Sequence, residues 1–337
     1  MFAFFRNPNI HRSVSPISVD GEQTNRPKRR RGFTIVETIT VAAICSVWLA
    51  VATPYVQSVR EKNQKIMCKN HLKALGLAMH HYHDVYRTFP PGWISEAPKE
   101  KGPTALGWAA FLLPFNDNAP LFMQLDQAYG ASADLYGGTP KQTALLKQEL
   151  SLYRCPADSL SGTNSSRGGW GTSNYVGNFG SRAIPRKDPL SADGPDQAPT
   201  LAINTKWKRN KNKNLADGIM ANGIMAVNSR VRIRDITDGT SNTIMLGERS
   251  ATGKGAIWPG PRSNFNESDV VADGSFNSKL NQSATSYSSK HHDGTIYILL
   301  CDGAVRAITE KIDSKKDGKG ILQKLSARND SMLIGEY

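Results

Sequence analysis

Apolar residues follow three different spacings along this chain. From Phe33 to Val56 the run FTIVETITVAAICSVWLAVATPYV is apolar or small, with Glu37 as its single charge. Its 24 residues, at about 1.5 Å rise each, are enough to cross a hydrocarbon core of ~30 Å, so the run is predicted to be a membrane-spanning helix. After Pro54 the pattern becomes amphipathic. Cys68, Leu72, Leu75, Met79 and Tyr82 recur at steps of four, three, four and three, which is one face of a helix. Span and stripe together predict one long helix from Phe33 to His83, bent at Pro54, whose second half docks a globular head. Pro90, Pro91 and Gly92 close it. Beyond Trp93, short β-prone runs (GIMAV, TIMLGE, TIYILLC, AVRAI) are separated by turn dipeptides and predict a mostly antiparallel sheet with long loops. Asp302-Gly303, between the last two runs, is the strongest hairpin signal, and Asp238-Gly239 predicts a turn before TIMLGE. The fold class is therefore α+β, a long N-terminal helix packed on a sheet.

Composition narrows the class without naming a function. The 337 residues suggest about two domains, or one large domain with a tail. With 39% hydrophobic and 21% charged residues, the chain is neither collagen-like, wholly disordered nor a polytopic membrane protein. The net charge of +13 is uneven: residues 1–32 carry seven basic residues against Asp20 and Glu22. The basic block RPKRRRG directly before the span keeps that side cytoplasmic by the positive-inside rule, which puts the head on the far side. A secretory signal is the competing reading, but no Ala-x-Ala site stands out and the helical pattern continues past the span instead of stopping.

A carboxylate five residues into an apolar span costs about 2.5–3.5 kcal/mol at mid-membrane unless it has a partner. The string Gly32-Phe33-Thr34-Ile35-Val36-Glu37 after a basic leader resembles the cleavage and methylation site of type IV prepilins and type II secretion pseudopilins. That resemblance implies a cut between Gly32 and Phe33 by a prepilin peptidase, N-methylation of Phe33, and pairing of Glu37 with the new amino terminus of a neighbouring subunit. The alternative is an ordinary signal anchor in which Glu37 sits near the interface.

Further strings, LKALGLAMHHYHDVYRTFPPGW, GWAAFLLPF, YRCPADS, SNYVGNFG and RIRDITDGTSNTIMLGE, together with His292, nine residues and then Asp302-Gly303, resemble the domain of unknown function 1559 family. These pseudopilin-like proteins have a prepilin-type start and a carboxy-terminal H-x9-DG motif. The resemblance runs from Arg31 to about Ile312 and implies a pilin-like architecture. Its segments are a leader 1–32, a transmembrane helix 33–56, an amphipathic continuation 57–89 and a head 90–337 with a loop insertion at 185–215. Three positions depart from the family pattern: Thr53-Pro54 for Leu-Pro, Asp293-Gly294 for Gly-Gly, and the tail SARNDSMLIGEY.

Candidate chemistry is sparse. There is no Walker loop, GxSxG elbow or HExxH, so no catalytic role and no cofactor are expected. His80, His81 and His83 with Asp84 offer metal-ligand types, but histidines at a helix carboxyl end are favourable on electrostatic grounds alone. The H-x9-DG motif reads as a turn with Gly303 at positive φ; the functional alternative is a calcium site in which Asp302 joins Asp273 or Asp293. Lys206, Trp207, Lys208, Arg209, Lys211 and Lys213 combine cations with an aromatic, the chemistry of a polyanion-binding loop, though such a run is commonly a solvated excursion.

The four cysteines have no zinc-ligand spacing. Cys45 lies in the span and Cys301 ends a strand facing the core. Cys68 lies on the stripe and Cys155 opens a Cys-Pro turn, which makes Cys68–Cys155 the best disulfide of the six pairs. The functional expectation is a structural pseudopilin-like subunit in the inner membrane, leader cytoplasmic and head periplasmic, with a prepilin peptidase and other pilin-like subunits as partners. The alternative is a minor pilin capturing DNA or another polyanion.

Overall fold

The computed structural model describes residues 34–95, 104–129, 134–181, 221–263, 266–291, 293–315, 319–332 and 334–335. Gly32, Phe33, His292 and the 206–213 loop lie outside them, as does the whole of the 185–215 insertion. The chain divides into two units, Met1–Tyr55 and Val56–Tyr337. A single helix, α1, runs from Ile35 to Tyr86 over 52 residues.

Within the first unit the large apolar side chains of α1 are exposed, with Ile39, Val47, Trp48 and Leu49 above 60%. This is the one described helix long and apolar enough to cross a membrane.

In the second unit Cys68, Leu72, Leu75, Met79 and Tyr82, the stripe read from the sequence, are all buried. They lie on a five-stranded sheet made of β3 (Tyr175–Gly180), β4 (Ile244–Glu248), β6 (Val271–Asp273), β7 (Thr295–Leu300) and β8 (Val305–Thr309). The strand order is β6-β3-β4-β7-β8, antiparallel throughout except for the parallel pair β3–β6. A smaller antiparallel sheet joins β1 (Thr163–Asn164), β2 (Trp170–Ser173) and β5 (Ala256–Ile257).

The run TIYILL of β7 is continuously apolar because both of its faces are covered. Successive side chains of a strand point to opposite faces. Tyr297, Leu299 and Cys301 join the α1 stripe in one core cluster, while Ile296, Ile298 and Leu300 join a second cluster with Tyr287 and with Leu322 and Leu325 of a short helix, α2 (Ile321–Ser326). A register shift in β4 between Ile244 and Leu246 puts these two residues into different clusters. Gly76 sets how close α1 comes, since a Cβ there would lie 3.0 Å from Leu299 Cδ1. The Asp302-Gly303 hairpin closes β7 onto β8, with Gly303 at φ 87° and Leu300 N–H donating to Ala304 O at 2.8 Å.

One expected strand is absent. GIMAV is irregular: the N–H groups of both Ile224 and Met225 donate to Asn178 O, at 3.0 and 2.9 Å. Two neighbouring donors converging on one carbonyl cannot continue a ladder, so the run packs its apolar side chains without extending the sheet.

The long loops are held by buried arginines. Arg249 is fully buried and donates to the carbonyls of Ser286 at 2.9 Å, Val271 at 3.0 Å and Ser268; burial pulls its pKa down to about 9. Arg167 and Arg262 both reach the carboxylate of Asp269, at 2.6 and 2.8 Å. Removing one partner of such a buried group leaves an uncompensated charge, which costs about 3–5 kcal/mol.

Cys68 and Cys155 form a disulfide with a Cα–Cα distance of 5.3 Å across a sequence separation of 87. It ties α1 to the turn before the small sheet. On the chain-entropy model a loop of this length stabilises the head by about 4–5 kcal/mol. Reduction, or Cys68→Ala with Cys155→Ala, is therefore expected to lower the melting temperature of the purified protein by several degrees. Identical melting curves with and without reductant would overturn that expectation.

Candidate functional site

Three places gather polar chemistry, and the first is the start of α1. Thr34 precedes the helix, and its side-chain oxygen accepts the Glu37 N–H at 3.3 Å. Glu37 Oε2 in turn accepts the Thr34 N–H at 3.0 Å and its hydroxyl at 3.2 Å. This reciprocal pair is a capping box, so the carboxylate of Glu37 is satisfied within its own chain. The T-x-x-E spacing that encodes it is visible in the sequence, but the preceding basic leader draws attention to processing instead.

The second is a buried cluster where α1 meets the sheet. Glu248, at the end of β4, and His291, just before β7, stand beside the Cys68–Cys155 disulfide, their candidate ligand atoms all within 4.8 Å of one another. His291 Nε2 lies 3.4 Å from Glu248 Oε1, and Glu248 Oε2 accepts the Tyr297 N–H at 2.8 Å. With both sulfurs bonded to each other, only His291 and Glu248 remain as ligands, short of the three or four a zinc site uses. Nearby, Lys65 pairs with Asp293 at 2.6 Å, which holds that carboxyl down at about 2, and Lys69 lies 4.7 Å over the Tyr297 ring. Sequence spacing carries no trace of the Glu248–His291 pair, whose members are 43 residues apart.

The acidic residues considered for calcium are not brought together. Asp293 and Asp302 stand before and after β7, whose six residues span about 20 Å. Asp273 ends β6, three strands away from β7. Each carboxylate instead closes its own turn: Asp273 accepts Ser275 N–H, Asp293 accepts Thr295 N–H and Asp302 accepts Ala304 N–H. The Gly303 turn faces α1, since a Cβ there would lie 4.0 Å from His80 Nε2.

Of the three histidines near the end of α1, His80 and His83 share one face. His80 and His83 both pack against Phe89, at 5.9 and 4.9 Å between ring centroids, whereas His81 is exposed on the other side. Burial lowers the pKa of His83.

The third place is a cleft of about 530 Å³ at the carboxyl end of α1, lined by His83, Tyr86, Arg87, Arg230, Arg232 and Arg234. The alternation Arg230-Val231-Arg232 is its sequence signal, Val231 being buried between two arginines that face the cleft.

Glu248 gives a pH signature. Burial raises its pKa above the usual 4.5, against the opposing pull of His291. The folded head then keeps a proton that the unfolded chain has released, so stability falls as pH rises from about 4.5 through the folded value. Glu248→Gln retains an acceptor for Tyr297 N–H and removes the titration. The melting temperature of the variant minus that of wild type is expected to climb by a few degrees between pH 4.5 and 7; parallel curves would count against it.

Among known proteins, a family model described as protein of unknown function (DUF1559) matches residues 57–315. No curated protein and no solved structure matches the chain. The matched segment takes in the amphipathic half of α1, both sheets, the disulfide and the Asp302-Gly303 turn, and covers well over half of the sequence. On that match the chain belongs to the DUF1559 family of proteins of unknown function.

Proposed function

We propose that this protein is a structural, pseudopilin-like subunit that a prepilin peptidase processes between Gly32 and Phe33 and that assembles through α1 with other pilin-like subunits. The observation that carries the reading is Glu37, a carboxylate placed in the first turn of α1, whose first half is otherwise apolar and exposed and follows closely on RRRGF. Before cleavage, Thr34 satisfies that carboxylate locally. Cleavage would create an α-amine at Phe33, one residue from the cap, and exchange a neutral donor for a charged one. In lipid a carboxylate with a cationic partner is far less costly than one without.

On this reading the leader stays in the cytoplasm, α1 is a single-pass anchor in the inner membrane and the head is extracytoplasmic, where the Cys68–Cys155 bridge is stable to reduction. No catalytic step and no cofactor belong to the proposal. The loop that would make the protein a capturing module, Lys206 to Lys213, contributes no observation in its favour.

Two variants test the reading. The mature wild-type protein is expected to begin at N-methylated Phe33, and Gly32→Leu to leave the leader attached; intact mass and amino-terminal sequencing from a host with an active prepilin peptidase decide this. Glu37→Ala is expected to be cleaved and inserted normally but to lose most of its crosslinking to neighbouring subunits. A wild-type protein that keeps Met1, or a Glu37→Ala protein that assembles like wild type, would overturn the proposal.

A further inference from the structure

The cleft at the end of α1 concentrates positive charge. Arg230, Arg232 and Arg234 come from one segment and Arg87 from the end of the helix, all lining the same 530 Å³ space beside Tyr86 and His83. Arg234 leans on Asp235 at 3.8 Å. Among the described residues, Arg87, Arg230 and Arg232 have no carboxylate at ion-pair distance. Bringing like charges together without partners destabilises a head. Burial and Arg232 both hold Arg230 below the usual arginine value, with Tyr82 opposing them.

Arg87 adds a second observation. It is the residue after α1 and has φ 61°, its N–H donating to His83 O at 2.7 Å. This left-handed position after a helix ordinarily goes to glycine, or to asparagine, and another L residue there is strained by roughly 1–2 kcal/mol. Here the strained residue is one of those lining the cleft.

Guanidinium groups present planar forks matched to phosphate oxygens, and Arg230 and Arg232, two residues apart in extended chain, are spaced by about 7 Å. The volume is that of a small-molecule site, and Tyr86 supplies a flat wall. We propose that this cleft binds a soluble phosphorylated ligand of nucleotide size, gripping adjacent phosphate groups with Arg87, Arg230 and Arg232. The assignment does not depend on processing or assembly.

Titration calorimetry on the full chain in detergent micelles, with inorganic tripolyphosphate as probe, tests it. Saturable one-to-one binding is expected, about tenfold or more weaker in Arg230→Ala/Arg232→Ala and unchanged in Lys279→Ala/Lys311→Ala, which removes the same charge elsewhere. Arg87→Gly separates binding from folding: it relieves the left-handed position, so its melting temperature should hold or rise while affinity falls. Three results would overturn the proposal: no saturable binding, equal loss in the lysine control, or binding to phosphatidylglycerol vesicles without binding to tripolyphosphate.

Discussion

The stripe of α1 formed by Cys68, Leu72, Leu75 and Met79 lies against Tyr175, Leu246, Tyr297 and Leu299, and the rest of the head is arranged around that contact. Each large side chain buried there stabilises the fold by about 1.5–3 kcal/mol, but the contact also sets direction. Lys65 meets Asp293 just before β7 and His80 meets the Gly303 turn just after it, so helix and strand run alongside each other in the same sense. The fifteen helical residues between those points rise about 22 Å, comparable with the length of the strand. Gly76, one turn before His80, removes the side chain that would hold the two apart.

A sheet covered by a helix on one face needs a second cover on the other, and this one is built from loops and the short α2. Loops carry backbone carbonyls that must find donors when buried. Arg249 and Arg167 supply them, each satisfying several carbonyls at once. Their charge follows from this geometry: a planar group with five donors can knit irregular backbone, and a neutral residue of that reach does not exist. The cation of Arg249 is the consequence of what its shape does.

The helix, its buried stripe and the hairpin at Asp302-Gly303 were legible in the sequence because each is local, fixed by side-chain period or by one turn. The disulfide could be inferred from where its two cysteines fell on those elements. What could not be read depends on contacts between distant segments. GIMAV has the composition of a strand, but Asn178 takes its donors away. Asp273, Asp293 and Asp302 share a residue type, yet the sheet holds them apart while bringing together Glu248 and His291, which no spacing rule links. The arginine cleft lies between: its alternation is visible in RVRIR, but its fourth member comes from the end of α1, more than a hundred residues earlier.

The two borders of the large sheet differ from its middle. β6 is three residues long and buried, while β8 exposes Arg306 and Ala307 and is followed by Glu310 and Lys311. Short, covered or charged borders discourage a neighbouring strand from adding on. Among the described strands, neither border of this sheet therefore offers a long apolar ladder on which an added strand could extend it.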